Sequence, residues 1–231
     1  MPLKSSLAKL LDQLPYVSSL RKEVTKAGTF GAGHYSSPIP SIQEVERQLQ
    51  ATSSGQPDSL ADIDLNAPGQ RKRLERWIRF SKEMQFPKTA TEGFRYWFEQ
   101  EWFSYADATF LYCFLREQNP RNVIEVGSGF SSALMLDTAE RCFEEAPKFT
   151  FIEPTADRLE QLLKGSDCLS VRIRKDVVQN TPLEEFEALL PGDLLFIDSS
   201  HVIKFGNDLH FLFTRVLPLL PVGCFVCFHD I

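Results

Sequence analysis

Residues 123–132 read Val123-Ile124-Glu125-Val126-Gly127-Ser128-Gly129-Phe130-Ser131-Ser132, and the change of period inside this stretch decides the fold. Val123, Ile124 and Val126 make a short apolar run of the kind that fills a buried strand. Gly127-Ser128-Gly129 follow as a turn, and a helical pattern opens at Ser131. Two glycines between a strand and a helix let the backbone approach a ligand closely, with the N–H groups of the helix start facing it. This is the layout of a nucleotide or nucleoside-cofactor site.

The same unit recurs downstream. FTFIE (149–153), VRIR (171–174), LLFID (194–198) and CFVCF (224–228) are short apolar runs. Helical segments predicted from Ser131, Thr155, Pro182 and about Lys204 separate them. Strand-helix alternation implies parallel βαβ units, so the predicted class is α/β, a doubly wound parallel sheet with helices on both faces.

The amino-terminal part reads differently. Leu3, Leu7, Leu10, Leu11 and Leu14 recur at helical spacing until Pro15, and 28–40 is loop-like. Ser41 and Glu44 form a capping-box pattern, and 52–69 reads as a long connection. Leu74, Trp77, Ile78 and Met84 mark one face of a further helix, whose other face carries Arg71, Lys72, Arg73, Arg76, Arg79 and Lys82. An aromatic cluster over 93–103 has the composition of core rather than pocket. Ser104 and Asp107 resemble a second capping box, for a helix ending near Gln118. The expected division is a helical appendage over 1–95 and an α/β core over 96–231.

A length of 231 residues suffices for one well-cored domain with an appendage. The net charge of −6 argues against nucleic acid as a partner. No run is long and apolar enough to predict a membrane span. The first 14 residues read as an amphipathic helix rather than a signal peptide. Cys224 and Cys227 fall in a strand pattern that turns them to opposite faces, against a metal or redox pair. Reduced thiols and a cytoplasmic location are therefore expected.

In a doubly wound sheet, ligands lie beyond the carboxyl ends of the strands. The predicted strand ends carry Glu125, Glu153, Asp176, Asp198 and the pair His229-Asp230, which would share one rim. Glu153 follows Gly129 by 24 residues, near the spacing at which an acid holds ribose hydroxyls. A carboxylate accepts from two vicinal hydroxyls at once. The alternative is a surface glutamate capping a helix at Thr155.

Taken together, EVGSGFSS, FIEP and FIDSSH resemble the class I S-adenosylmethionine-dependent methyltransferases. The linked stretches GHYSSPIP, FSYADA, EVGSGFSSALMLDT, FIDSSHV and FHDI are similar to bacterial members whose substrates are not assigned. Ser132 stands where a dinucleotide fingerprint has its third glycine, which separates the chain from NAD-dependent oxidoreductases. That class, and a non-catalytic scaffold, are the alternatives.

The resemblance implies a Rossmann-like sheet of order 3-2-1-4-5, and that Glu125, Gly127, Ser128 and Gly129 line the methionine end of the cofactor. It implies Glu153 at the ribose, Asp176 and Val177 near the adenine, and Asp198 beside the sulfonium. By the same resemblance Asp198, His229 and Asp230 would bind a divalent metal such as magnesium. The implied reaction is O-methylation of a small-molecule hydroxyl, with His201 or His229 as base. His34-Tyr35 could fold over the site, and Tyr105 could touch the cofactor. Asp107 is expected only to cap its helix. The fold family continues for two more strands, so a carboxy-terminally truncated piece is expected, with a bare fifth-strand edge open to self-association.

Overall fold

The computed structural model describes residues 14–17, 19, 31, 32, 37, 39–53 and 64–230, leaving aside the side chains of 51–53, 168 and 169. The contacts divide the chain into two units, Met1–Asn66 and Ala67–Ile231. In the first, helix α1 (Ile42–Ser53) opens on the expected capping box. Glu44 N donates to Ser41 Oγ at 3.2 Å, and Ser41 N donates to Glu44 Oε2 at 2.6 Å. The leucine-spaced segment before Pro15 and the loop residues His34-Tyr35 lie outside the described residues.

The second unit starts with α2 (Ala67–Glu83) and α3 (Tyr105–Gln118). It continues as β1 (Asn122–Val126), α4 (Phe130–Cys142), β2 (Lys148–Ile152) and α5 (Asp157–Leu162). The remaining elements are β3 (Val171–Arg174), α6 (Leu183–Glu187), β4 (Leu194–Ile197), α7 (Asp208–Phe211) and β5 (Phe225–Phe228). The five strands form one parallel sheet of order β3-β2-β1-β4-β5, as the alternating pattern and the resemblance implied. Helix α2 belongs to this sheet-bearing unit, which begins at Ala67.

Alternation along each strand sorts side chains into two cores. Val123, Phe149, Phe151, Leu194 and Phe196 face α3 and α4, with Tyr96, Phe103, Leu111, Tyr112 and Leu134. Ile124, Val126, Ile152, Leu195 and Ile197 face the other way, toward Phe186, Leu209, Leu212 and Val216. Cys227 packs on the first core and Cys224 on the second, and both are unpaired, as their spacing predicted.

The α2 pattern is only half used. Trp77 is buried, but Leu74 and Ile78 are 59% and 56% exposed. Anchoring comes instead from Glu117 of α3, whose carboxylate takes Trp77 Nε1 at 3.0 Å and pairs with Arg73 and Arg76. The aromatic segment is mostly core. Tyr96 and Phe103 are buried, and Phe86 meets Phe94, Tyr96, Phe98 and Tyr112 edge-on.

A buried ion network ties this segment to the sheet unit. Arg95 reaches Asp137 and Glu140 at 2.7 Å each and grips Asp167 with two nitrogens. Asp137 Oδ2 also accepts the N–H groups of Arg95 and Tyr96. Among the described residues no helix is long and apolar enough to cross a membrane.

Candidate functional site

The glycine turn is held by crossing backbone. Gly127 has φ +82°, and a Cβ there would lie 1.8 Å from the carbonyl oxygen of Asp198. No side chain fits, so the β1 turn and the end of β4 come together because residue 127 is glycine. Gly127 N donates to Ile152 O at 3.0 Å, and Asp198 N to Val126 O at 2.8 Å. Three strand ends are thereby fixed at one place.

Glu125 does not face the ligand space. It shares the parity of Val123 and points to α4, where it is fully buried. Ser131 Oγ donates to its carboxyl at 2.5 Å, and Ser132 Oγ donates to the other oxygen. Ser132 Oγ also accepts Gly129 N–H at 3.0 Å. The carboxyl and two hydroxyls brace the turn from behind. Burial pushes the Glu125 carboxyl up to about 8, against the pull of the two serines, with Asp198 and Glu153 adding to the rise. The expected direct role of Glu125 at the cofactor is corrected to support of the turn.

In front of the turn lies a cavity of about 390 Å³. It is lined by Gly127, Glu153, Val177, Gln179, Asp198 and Asp208, among others, and among the described residues no lysine or arginine lines it. Glu153 takes Ser128 N–H at 3.2 Å and Thr155 N–H at 2.8 Å, so it both braces the following loop and faces the cavity. A carboxylate with two such bonds keeps acceptor capacity for hydroxyls. Val177 sits at the cavity wall as expected. Asp176 does not line it: its Oδ1 accepts from Val177 N at 2.8 Å and from Asn180 Nδ2 at 2.9 Å, closing a local turn. Gly129 is not among the lining residues, and Arg158 lies against it.

Asp198 and His229 meet because of register. Ile197 pairs with Phe228 across the parallel β4–β5 ladder, so the next residue of each strand is Asp198 and His229. Both have the parity of the α3-facing core. His229 Nδ1 lies 3.0 Å from Asp198 Oδ1 and 3.6 Å from Asp230 Oδ2. Its Nε2 lies 3.5 Å from Asp107 Oδ1, in the first turn of α3.

Phe103 lies against the imidazole with centroids 5.0 Å apart. Burial favours the neutral ring, but the carboxylates of Asp198, Asp230 and Asp107 prevail, and the His229 pKa is raised. The capping expected of Ser104 is not made, since its hydroxyl donates to Phe98 O at 3.1 Å. Asp107 therefore belongs to the rim rather than to a cap.

The rim acids and His229 do not converge as a metal site. Among the described residues no group of three His, Cys, Asp or Glu side chains could hold an ion. His229 Nδ1 pairs directly with Asp198. The implied ligand set Asp198, His229 and Asp230 is corrected accordingly. His201 is exposed and outside the cavity lining. Tyr105 is also exposed, stacked on Phe98 with centroids 4.5 Å apart.

Four side-chain atoms near this rim are buried without a hydrogen-bond partner: Ser128 Oγ, Gln179 Oε1, Ser199 Oγ and His229 Nε2. Buried polar groups are normally satisfied, so such atoms mark places where a ligand supplies the partner. The residues missed in the sequence, Gln179, Ser199, Asn207 and Asp208, lie in the segments that follow β3 and β4, up to the first residue of α7. The strand-end rule locates those segments, but it does not say which side chains turn inward. A second cleft, about 460 Å³, follows the opposite halves of β1–β3 near Asn122, Lys148 and Val171. Its Arg172 is already paired with Glu185 at 3.1 Å, and neither the glycine turn nor the strand-end acids reach it.

Residues 124–231 match the model of a family described as a methyltransferase domain. A protein of Archaeoglobus fulgidus described as uncharacterized is 31% identical over 139 residues, 59% of this chain. The chain spans 62% of that relative's length. Among solved structures, CmcI-N160 without ligand aligns over 85% of this chain and 79% of its own, at 18% identity and a TM-score of 0.44. The SAH-bound Podospora anserina methyltransferase PaMTH1 aligns over 82% of this chain and 71% of its own, at 13% identity and a TM-score of 0.38.

Proposed function

We propose, from the match of residues 124–231 to a methyltransferase-domain model, that the protein binds S-adenosylmethionine and methylates a hydroxyl of a small molecule. One observation carries the choice of cofactor. The cavity in front of the glycine turn is lined by Glu153, Asp198 and Asp208 and, among the described residues, by no basic side chain. A carboxylate-lined hollow favours a cationic ligand and repels the two phosphates of a dinucleotide. The residues fit the cofactor in other ways too. Glu153 faces the cavity with acceptor capacity for ribose hydroxyls, Val177 and Val178 offer an apolar wall for a planar base, and Gln179 and Ser199 bring unpartnered polar atoms.

Bound there, the cofactor supplies an electrophilic methyl group on a sulfonium. The chain's own part is to position the acceptor and move one proton. His229 Nδ1–H donates to Asp198 Oδ1, which leaves the Nε2 lone pair, buried and without a hydrogen-bond partner, beside Asp107. With the cofactor bound, Nε2 would accept the acceptor's hydroxyl proton as that oxygen takes the methyl group. The imidazolium so formed is stabilised by Asp198, Asp230 and Asp107. The same carboxylates raise the His229 pKa, which makes the ring a stronger base.

Calorimetry on the whole chain with S-adenosylmethionine, S-adenosylhomocysteine and NADH tests the assignment. Heat with the first two and none with NADH is expected. Tight NADH binding with no response to the sulfur ligands would overturn it.

A further inference from the structure

Arg158 is a cation of the sheet-bearing unit that lies against the glycine turn. Arg95, Arg116, Lys164, Arg172, Arg174 and Lys175 each hold a carboxylate. Arg158, exposed in the first turn of α5, makes no ion pair among the described residues. Its side chain folds back over the glycine turn: a Cβ on Gly129 would lie 3.3 Å from Arg158 Cδ and 3.9 Å from Nη1. The guanidinium carbon sits 4.1 Å from the ring centre of Trp102, which is 60% exposed. Stacking a guanidinium on an indole holds its plane and leaves the in-plane N–H fork free for a carboxylate.

The surroundings give that fork a purpose. The rim is acidic, with Glu153, Asp198, Asp208 and Asp107. Resting on the cofactor reading above, the ligand's sulfonium and ammonium suit this rim, but its carboxylate does not. With the nucleoside placed against Glu153, Val177 and Gln179, the amino-acid end passes the other side of the cavity, at Gly127–Gly129. There Arg158 is an uncommitted cation, and Ser128 Oγ is a buried hydroxyl without a partner. We propose that Arg158, held on Trp102 across the glycine turn, binds the carboxylate of the cofactor's amino-acid end, with Ser128 Oγ as a second donor.

The test compares two neutral thioethers on the whole chain by calorimetry. S-adenosylhomocysteine carries the amino-acid end and 5′-methylthioadenosine lacks it. Arg158→Gln should weaken S-adenosylhomocysteine by roughly tenfold, the scale of one charge-assisted pair, and leave methylthioadenosine unchanged. Arg158→Lys should fall between, since an ammonium lacks the fork. Trp102→Leu should weaken only the first ligand, by releasing the guanidinium.

Equal losses for both ligands would mean that Arg158 merely shapes the turn and would overturn the proposal. Unchanged S-adenosylhomocysteine binding would overturn it too, and would leave Arg158 for a carboxylate on the acceptor. If the unsubstituted chain binds neither thioether, the cofactor reading fails and the proposal falls with it.

Discussion

Replacing Glu125 by glutamine tests the reasoning about the buried turn. The carboxyl is fully buried, and burial pushes its pKa from 4.5 up to about 8. The sign follows from linkage. Below pH 4.5 the carboxyl is protonated in both folded and unfolded chains, and the full stability is present. As pH rises from 4.5 toward 8, the unfolded chain releases the proton and the folded one keeps it, so stability falls.

The slope is about 1.4 kcal/mol per pH unit, and the whole interval amounts to roughly 5 kcal/mol. Glutamine has the same shape, accepts from one of the two serines with its oxygen and donates to the other with its amide nitrogen, and does not titrate. Urea denaturation of both proteins from pH 5 to pH 9 reads the difference directly, because every other group titrates alike in the two. The variant should gain on the parent steadily with pH, by several kcal/mol at pH 8. Parallel stability curves would refute the buried neutral acid and imply that the two serines hold Glu125 ionised.

Gly127→Ala forces a Cβ into the Asp198 carbonyl at a positive φ. It should lower stability by about 3 kcal/mol or more and abolish S-adenosylhomocysteine binding, measured by thermal melting and calorimetry. Arg95→Met strands Asp137 and Asp167 as buried carboxylates without their cation. It should cost about 3–5 kcal/mol in denaturant unfolding, and a loss under 1 kcal/mol would contradict the network. Asp198→Asn removes the main carboxylate facing His229, so the imidazole should titrate at lower pH in a proton NMR titration. Because a raised histidine pKa stabilises at low pH and that gain fades as pH rises through it, the loss of stability should be larger at pH 6 than at pH 9.

The site was legible where it depended on the ends of strands. Glu153, Asp198 and His229 follow from apolar runs that stop at an acid or a histidine, and the parallel register brings the last two side by side. The same rule misplaced Glu125, because a residue inside the last turn of a strand takes its direction from the alternation. Val123 parity sends it to α4 instead of to the cavity. Asp107 read as a helix cap, since the spacing Ser104–Asp107 has that form. What aims it at His229 is the way α3 crosses the sheet, and no local pattern records a crossing.

The sequence by itself determined the alternating architecture, the place of the glycine turn and the row of acids at the strand ends. Those are periodic features, carried by neighbours two to four residues apart. Tertiary structure alone decided which acids face ligand space, which brace the turn, and which cation is left unpaired above it. Those outcomes depend on distances between segments far apart in the chain, such as Asp107 with His229 and Gly129 with Arg158. Packing in three dimensions sets such distances, and a linear pattern holds no measure of them.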